Sequence, residues 1–300
     1  MHIYFIVNSK IKRHRAVIND IVKEFKSYNI SIAETQYEKH AITLAADSVQ
    51  NEHDFIVSVG GDGTLNEVLN GIMTASVPTN KIPVLGMIQK GTANDFSRSM
   101  HDKRSAKHLR HLIESRSYKK VDIGKVSFAN PSLAPKYFIN IAGLGLGPEV
   151  VQLMDQDRKI LGSKISYFKS ILQTFMKYER KTIACTADGW EWKGELLQLA
   201  IGNGKYFGNG ICICPDAEVD DGHFNVSLFG GLSIMDYLRN LINLKKGVKI
   251  KHKEALYYSA KEVKVVSTTA IPCGIEVDGE YIGKTPAVIS VVPKVIYFLR

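Results

Sequence analysis

Phe55-Ile56-Val57-Ser58-Val59-Gly60-Gly61-Asp62-Gly63-Thr64-Leu65 decides how this 300-residue chain folds. The run from Phe55 to Val59 predicts a buried strand. Three glycines follow, and Leu65, Val68, Leu69, Ile72 and Met73 then recur at helical spacing. A strand end, a tight turn and a helix start therefore meet at one point, where backbone N–H groups and the positive end of the helix dipole suit phosphate oxygens. Asp62 stands among them. A carboxylate repels phosphate unless a cation lies between, so Asp62 points to Mg²⁺, held directly or through water; the alternative is a tight turn with Asp62 or Thr64 as N-cap.

Upstream, Ile3 to Val7 and Ile30 to Ala33 predict strands, while Ala16, Val17, Ile21, Val22 and Phe25, then Ala41, Leu44, Ala45 and Val49, predict helices. This alternation gives a parallel sheet covered on both faces, with ligands beyond the carboxyl ends of its strands. Asn8 and Asp62 both belong at that edge. Downstream, Ile82 to Met87 predicts another strand, followed by a second turn at Gly91-Thr92-Ala93-Asn94-Asp95-Phe96, where Asn94 or Asp95 can cap the next helix. Two such turns at one edge favour a shared phosphate site.

Near Val121-Asp122-Ile123-Gly124 the strand-helix rhythm ends, and a domain boundary is placed there. Lys136 to Ala142, Thr182 to Thr186, Leu196 to Ile201, Phe224 to Phe229, Glu262 to Ser267 and Ile289 to Val292 predict a mainly antiparallel second half. Leu161, Ile165, Phe168, Ile171, Leu172, Phe175 and Met176 form an apolar stripe that either packs on this half or lies on a lipid surface. The four carboxylates of Pro215 to Gly222 make either an exposed acidic turn or a cation site. Asp278-Gly279 is a hairpin signal, and Asp278 with Glu280 also offers a carboxylate base beside a second carboxylate.

A hydrophobic content of 45% and a charged content of 23% describe a soluble globular protein. Basic residues follow the apolar start rather than precede it, and no apolar run reaches transmembrane length, so a cytoplasmic protein is expected. The net charge of +9 calls for an acidic partner: nucleotide phosphates, anionic lipid or nucleic acid. No nucleic-acid-binding motif accompanies it, so nucleic acid is not expected. Lys245 to Lys253, the densest basic tract, reads as a solvated strand face. The four cysteines lack metal-ligand spacing and are expected buried and reduced.

Val59 to Val68, Gly91 to Phe96, Gly202-Asn203-Gly204, Asp220-Asp221-Gly222 and Asp278-Gly279-Glu280, in that order, resemble the motifs of the soluble bacterial lipid kinases related to diacylglycerol kinase and sphingosine kinase. The resemblance spans nearly the whole chain. It implies an α/β nucleotide domain over residues 1–121, completed by about 290–300, and an antiparallel β-sandwich domain over 122–289 that takes the lipid. It further implies an ATP- and Mg²⁺-dependent kinase that phosphorylates a lipid hydroxyl, with Asp278 as general base and Glu280 in support. ATP is then expected against Asn8, Gly60, Gly61, Asp62, Gly63, Thr64, Glu67, Gly91, Thr92 and Asn94. A structural Mg²⁺ is expected on Asp221 with the main-chain carbonyls of Glu218 and His223, joined to Asp62 and Asp95 by water. Peripheral contact with an anionic membrane face is implied, and a homodimer is left open. Three places depart from the family pattern: Asn8-Ser9-Lys10 lacks its proline and glycine, Gln89-Lys90 replaces a proline and a small residue, and Gly147-Pro148 stands where many relatives carry Asp-Ala. Two other readings stand beside this one. NAD kinases share the Gly-Gly-Asp-Gly-Thr turn, and a lipid-binding regulatory protein needs no catalysis.

Overall fold

The computed structural model describes residues 1–75, 82–100, 105–157 and 174–300. The strand Phe55–Gly60 is buried at every position because helices cover both faces of its sheet. Around it alternate β1 (His2–Val7), α1 (His14–Glu24), β2 (Asn29–Glu34), α2 (His40–Gln50), β3 (Phe55–Gly60), α3 (Asp62–Thr74), β4 (Val84–Gln89), α4 (Asp95–Ser99) and α5 (Ala106–Glu114). The strands lie parallel in the order β2-β1-β3-β4, with Ile3 opposite Phe55 and Val7 opposite Val59. Ala41 and Ala45 of α2 and Leu65, Val68 and Ile72 of α3 pack on one face; Val17 and Ile21 of α1 and Leu109 and Ile113 of α5 pack on the other. Because β1 leads to β2 on one side and β3 lies on the other, the ends of β1 and β3 flank a crevice at the point where the strand order reverses.

The second half contains β5 (Tyr118–Phe128), β6 (Lys136–Phe138), β7 (Ile141–Gly145), α6 (Leu146–Asp157), β8 (Lys181–Ala187), β9 (Trp190–Leu196), β10 (Gln198–Gly202), β11 (Tyr206–Phe207), β12 (Ile211–Cys212), β13 (Phe224–Phe229), α7 (Ile234–Lys245), β14 (Ala255–Ala260), β15 (Glu262–Ser267), β16 (Gly274–Val277), β17 (Glu280–Lys284) and β18 (Ala287–Leu299). One antiparallel sheet runs β14-β13-β10-β7-β16-β17. It faces an antiparallel extension of the first sheet through β18, β15, β8 and β9, with Leu144, Leu199, Val226 and Ile275 meeting Val126, Ile183, Val263 and Ile289 between them. The expected α/β half followed by an antiparallel β half is what the chain builds.

Two long strands tie the halves together. β5 and β18 pair from Phe128 opposite Ala287 to Tyr118 opposite Leu299, and Phe298 also pairs in parallel with Leu85 of β4. Residue 121, where the sequence changes character, lies inside β5.

Three local readings need correction. Lys136 to Ala142 is not one strand: it breaks between Phe138 and Ile141, and the released N–H groups turn to a side chain described below. Lys245 to Lys253 is not a strand face but the last residue of α7 and the loop beyond it. α7 itself escaped the reading of periodicity, although Ser233 and Asp236 spell its N-cap, the Ser233 hydroxyl accepting from Asp236 N at 3.0 Å. Of the apolar stripe, residues 161 to 172 lie outside the described residues; Phe175 is buried and Met176 exposed. All four cysteines are buried and free. Among the described residues, no helix is long and apolar enough to cross a membrane.

Candidate active site

α3 opens without a side-chain cap. Gly61 occupies its N-cap position and offers none, so the first N–H groups of the helix depend on another partner. The turn is pinned from both sides: Asn8 Nδ2 donates to Thr64 Oγ1 at 3.0 Å, and Lys90 N donates to the Gly60 carbonyl at 2.7 Å. The second turn closes on itself through Asn94, whose Oδ1 accepts from Gly91 N at 3.2 Å while its Nδ2 donates to the Gly91 carbonyl at 3.0 Å. The two turns touch. A Cβ on Gly91 would lie 2.4 Å from the Cα of Gly61, so only glycine permits this approach. Gly63 and Thr92 are exposed at the mouth of the crevice, and Gln89 Nε2 at the end of β4 is a buried donor without a partner among the described residues.

Asp62 caps no residue of its own helix. Its carboxylate accepts from Asp95 N at 3.0 Å and Phe96 N at 3.2 Å, closing the start of α4. Asp95 in turn accepts from Asn209 N at 2.9 Å and Gly210 N at 2.7 Å, which fastens the β11–β12 hairpin to the first half. Burial pushes the Asp95 carboxyl above the usual carboxylate range, opposed by those two N–H groups.

Asp278 sits in the β16–β17 turn with a left-handed backbone, φ 49°, half-buried. Its Oδ2 accepts from Asn66 Nδ2 at 2.8 Å and Ile139 N at 3.0 Å; its Oδ1 accepts from Asn140 N at 3.1 Å and Ile141 N at 3.0 Å. The break between β6 and β7 exists to face this carboxylate. Burial pushes the group up to about 6, and the negative charge of Asp62 adds to that, against the pull of Asn66 and the backbone donors. Asn66 Nδ2 is shared with the Tyr137 carbonyl at 3.0 Å, and Asn70 donates to the same carbonyl at 2.9 Å.

Glu276, two residues before Asp278, is a buried carboxyl that the sequence reading passed over. Its Oε2 accepts from Gly279 N at 2.9 Å, which locks the turn that presents Asp278. Burial pushes it up to about 8, with the charge of Asp278 adding to the effect. Its Oε1 lies over Gly143, where a Cβ would come within 2.2 Å. Glu280 pairs with Lys39 at 2.5 Å, at the start of α2. Glu67 accepts from Ala41 N at 3.3 Å in the same place, and burial raises its carboxyl. Glu67, expected among the nucleotide contacts, holds the first turn of α2 through this bond.

The acidic stretch resolves its repulsion by separate pairing. Asp216 meets Lys249, Glu218 accepts from Lys205 at 3.1 Å, Asp220 from Arg300 at 2.6 Å, and Asp221 from His223 N at 2.9 Å. Among the described residues, no three Asp, Glu, His or Cys side chains gather as metal ligands. The Mg²⁺ set expected on Asp221 and the main-chain carbonyls of Glu218 and His223 has only one such side chain, so this does not bear on it; Asp62 and Asp95 have their carboxylates on backbone N–H groups. Asp122 ties this stretch to β18, accepting from Gly222 N and Lys294 N, both at 2.7 Å.

The turns at Gly60 and Gly91, Asn8, Asp62 and Asp278 thus converge on one crevice, whereas Asp221 and Glu218 hold separate partners. Asn66, Asn70, Lys39 and Glu276 were missed. Asn66 and Asn70 carried a signal, being two amides four apart and so on one face of the helix, among Leu65, Val68, Leu69 and Ile72. Lys39 and Glu276 carried none.

Comparison with known proteins follows the same division. Residues 2–126 match the diacylglycerol kinase catalytic domain, and residues 142–300 match the YegS C-terminal NAD kinase beta sandwich-like domain. The diacylglycerol kinase of Staphylococcus haemolyticus (strain JCSC1435) is 31% identical over 264 residues, 88% of this chain and 76% of that relative. The diacylglycerol kinase of Staphylococcus aureus (strain bovine RF122 / ET3-1) is 29% identical over 286 residues, 95% of this chain and 87% of its own. A crystal structure from Bacillus anthracis str. Sterne superposes with a TM-score of 0.80 at 24% identity, over 99% of this chain and 96% of its own. A diacylglycerol kinase structure from the same organism gives 0.73 at 21%, with the same coverage. At these identities the two structures speak for the fold.

Proposed function

Because the chain belongs to the diacylglycerol kinase family, we propose that it transfers the γ-phosphate of ATP, taken as its magnesium complex, to the hydroxyl of diacylglycerol or a related lipid. Residues 1–121 with about 290–300 hold the nucleotide in this reading, and 122–289 hold the lipid. The phosphates lie over Gly60 to Thr64 and Gly91 to Asn94, where the uncapped N–H groups of α3 stabilise their charge. As the lipid oxygen attacks the γ-phosphorus, its proton passes to Asp278, the bond from phosphorus to the bridging oxygen breaks, and ADP leaves.

The observation that carries this reading is the bond from Asn66 to Asp278. Asn66 lies four residues beyond Asp62 on α3, about 6 Å along the helix axis. One helix thus presents its N-terminus to the phosphates and its flank to the base. With four donors on its two oxygens, Asp278 has no lone pair to spare. Asn66 is the donor that can yield, since its Nδ2 already bonds the Tyr137 carbonyl, and the substrate hydroxyl takes its place. Glu276 acts as a positioning residue that fixes the turn. Glu280 acts through Lys39, holding the hairpin against α2 rather than touching the proton.

The test is labelled ATP with Mg²⁺ and a panel of lipids in mixed micelles, with NAD as the soluble control. A labelled lipid is expected. Labelled NAD would instead favour a NAD kinase, and vesicle binding with no labelled product would favour a lipid-binding regulator.

A further inference from the structure

The outer face of the β14-to-β17 sheet carries two helices. Leu146 and Val150 of α6 share a cluster with Tyr237, Leu238, Leu241 and Leu244 of α7, over Ala200 and Phe229. This uses one side of α7 completely. Among the described residues the other side carries exposed apolar groups: Met235 is 57% exposed, Ile242 67%, and Val248, just beyond the helix, 47%. Met176, 77% exposed, follows Phe175, whose ring stacks on Tyr237 at 5.7 Å. Met235, Arg239, Ile242 and Lys246 follow one another at intervals of four, three and four, so they form a single stripe. Exposed lysines edge it. Lys249 is paired with Asp216 and Arg239 with Asp236, but Lys245, Lys246, Lys251 and Lys253 make no ion pair among the described residues.

We propose that this face of α7, with the Lys245 to Lys253 loop, is where the protein docks on an anionic bilayer, the proposal resting on the lipid-kinase reading above. The composition decides among occupants. Protein interfaces are depleted in lysine and depend on aromatic or arginine anchors, which this stripe lacks apart from Arg239. Nucleic acid offers nothing to Met235, Ile242 or Val248. Unbranched and aliphatic side chains that enter the acyl boundary, bordered by lysines that reach anionic headgroups, fit an interfacial helix. α7 packs at the β13 and β14 end of the sheet whose other edge is the β16–β17 hairpin that carries Asp278.

The experiment uses the full chain and flotation with vesicles of phosphatidylcholine, with and without phosphatidylglycerol. Wild type is expected to bind only the anionic vesicles, and less tightly as salt rises. The double variant Lys245→Glu/Lys246→Glu is expected to bind about tenfold more weakly or worse, and Ile242→Ser also to lose affinity, both melting like wild type. Phosphorylation of long-chain diacylglycerol in vesicles should fall in step, while turnover of a short-chain, water-soluble diacylglycerol and the KM for ATP stay unchanged. Wild-type vesicle affinity in these variants would overturn the proposal. So would sedimentation as a dimer that the same substitutions dissociate, since a second copy would then cover the stripe. Docking through these residues without phosphorylation of any lipid would sustain the surface and sink the reaction.

Discussion

The two ends of the crevice are held in contrary ways. At the start of α3, backbone donors stand without side-chain partners and the turn is kept in shape from outside, by Asn8 and Lys90. Around Asp278, every acceptor position is already filled by Asn66 and the N–H groups of residues 139–141. The first region is completed by the charge of its ligand. The second is complete before a ligand arrives and must give something up to react. That difference ranks the consequences of substitution.

The largest effect is expected at Asp278. Asp278→Asn should lower turnover by about 10³-fold or more, read with labelled ATP in micelles, while ATP binding measured by calorimetry persists. It should also cost about 1–3 kcal/mol of stability in denaturant titration, because an amide NH₂ would then face N–H donors. Retained turnover would remove Asp278 from the role of base. On the nucleotide side, Gly91→Ala should force the two turns apart and raise the KM for ATP by roughly 10- to 100-fold, with lipid KM less affected. Equal losses for both substrates would mean that the ends are not separately built.

Asn66→Ala sharpens the contrast, since Asn66 serves the second region from the helix of the first. The base must be ionised, and burial already pushes Asp278 up to about 6 against the restraint of Asn66. Without that donor the acid limb of the kcat/KM profile should move to higher pH, with kcat down about tenfold at neutral pH. A shift to lower pH would contradict the assignment.

Glu276 gives a smaller effect, on stability. Its carboxyl rises from 4.5 unfolded to about 8 folded, so over that interval the folded state holds a proton that the unfolded state has lost. Stability therefore falls as pH rises from about 4.5 to about 8, and Asp278 contributes in the same sense between 3.8 and about 6. Glu276→Gln, which keeps an acceptor for Gly279 N, should flatten the decline above pH 6 and add on the order of 2 kcal/mol at pH 8. The smallest effect is expected from Lys39→Met. The Lys39–Glu280 pair is partly exposed, so no more than about 1 kcal/mol should be lost in thermal melts.

The same contrast explains what could be read in the residues. Strand, glycine turn and helix are contiguous from Phe55 to Met73, and local propensity and periodicity suffice to find them. The socket of Asp278 draws on Asn66, residues 139–141 and Glu276, which no window holds at once. Asp62 shows what local logic leaves out: the turn itself does not reveal that the carboxylate accepts from the N–H groups of Asp95 and Phe96, 33 and 34 residues on. The four acidic residues of this stretch likewise looked crowded because the basic partners of three of them, Lys249, Lys205 and Arg300, come from elsewhere in the chain.

Ile296 and Phe298 of β18 belong to the same buried cluster as Leu65 and Leu85, and Leu299 packs with Val57 and Val59. As the chain leaves the ribosome, the parallel sheet made early in synthesis therefore lacks one edge until residues from the far end are released. Until then the free edge of β4 presents unpaired N–H and C=O groups, an open template for pairing with another chain.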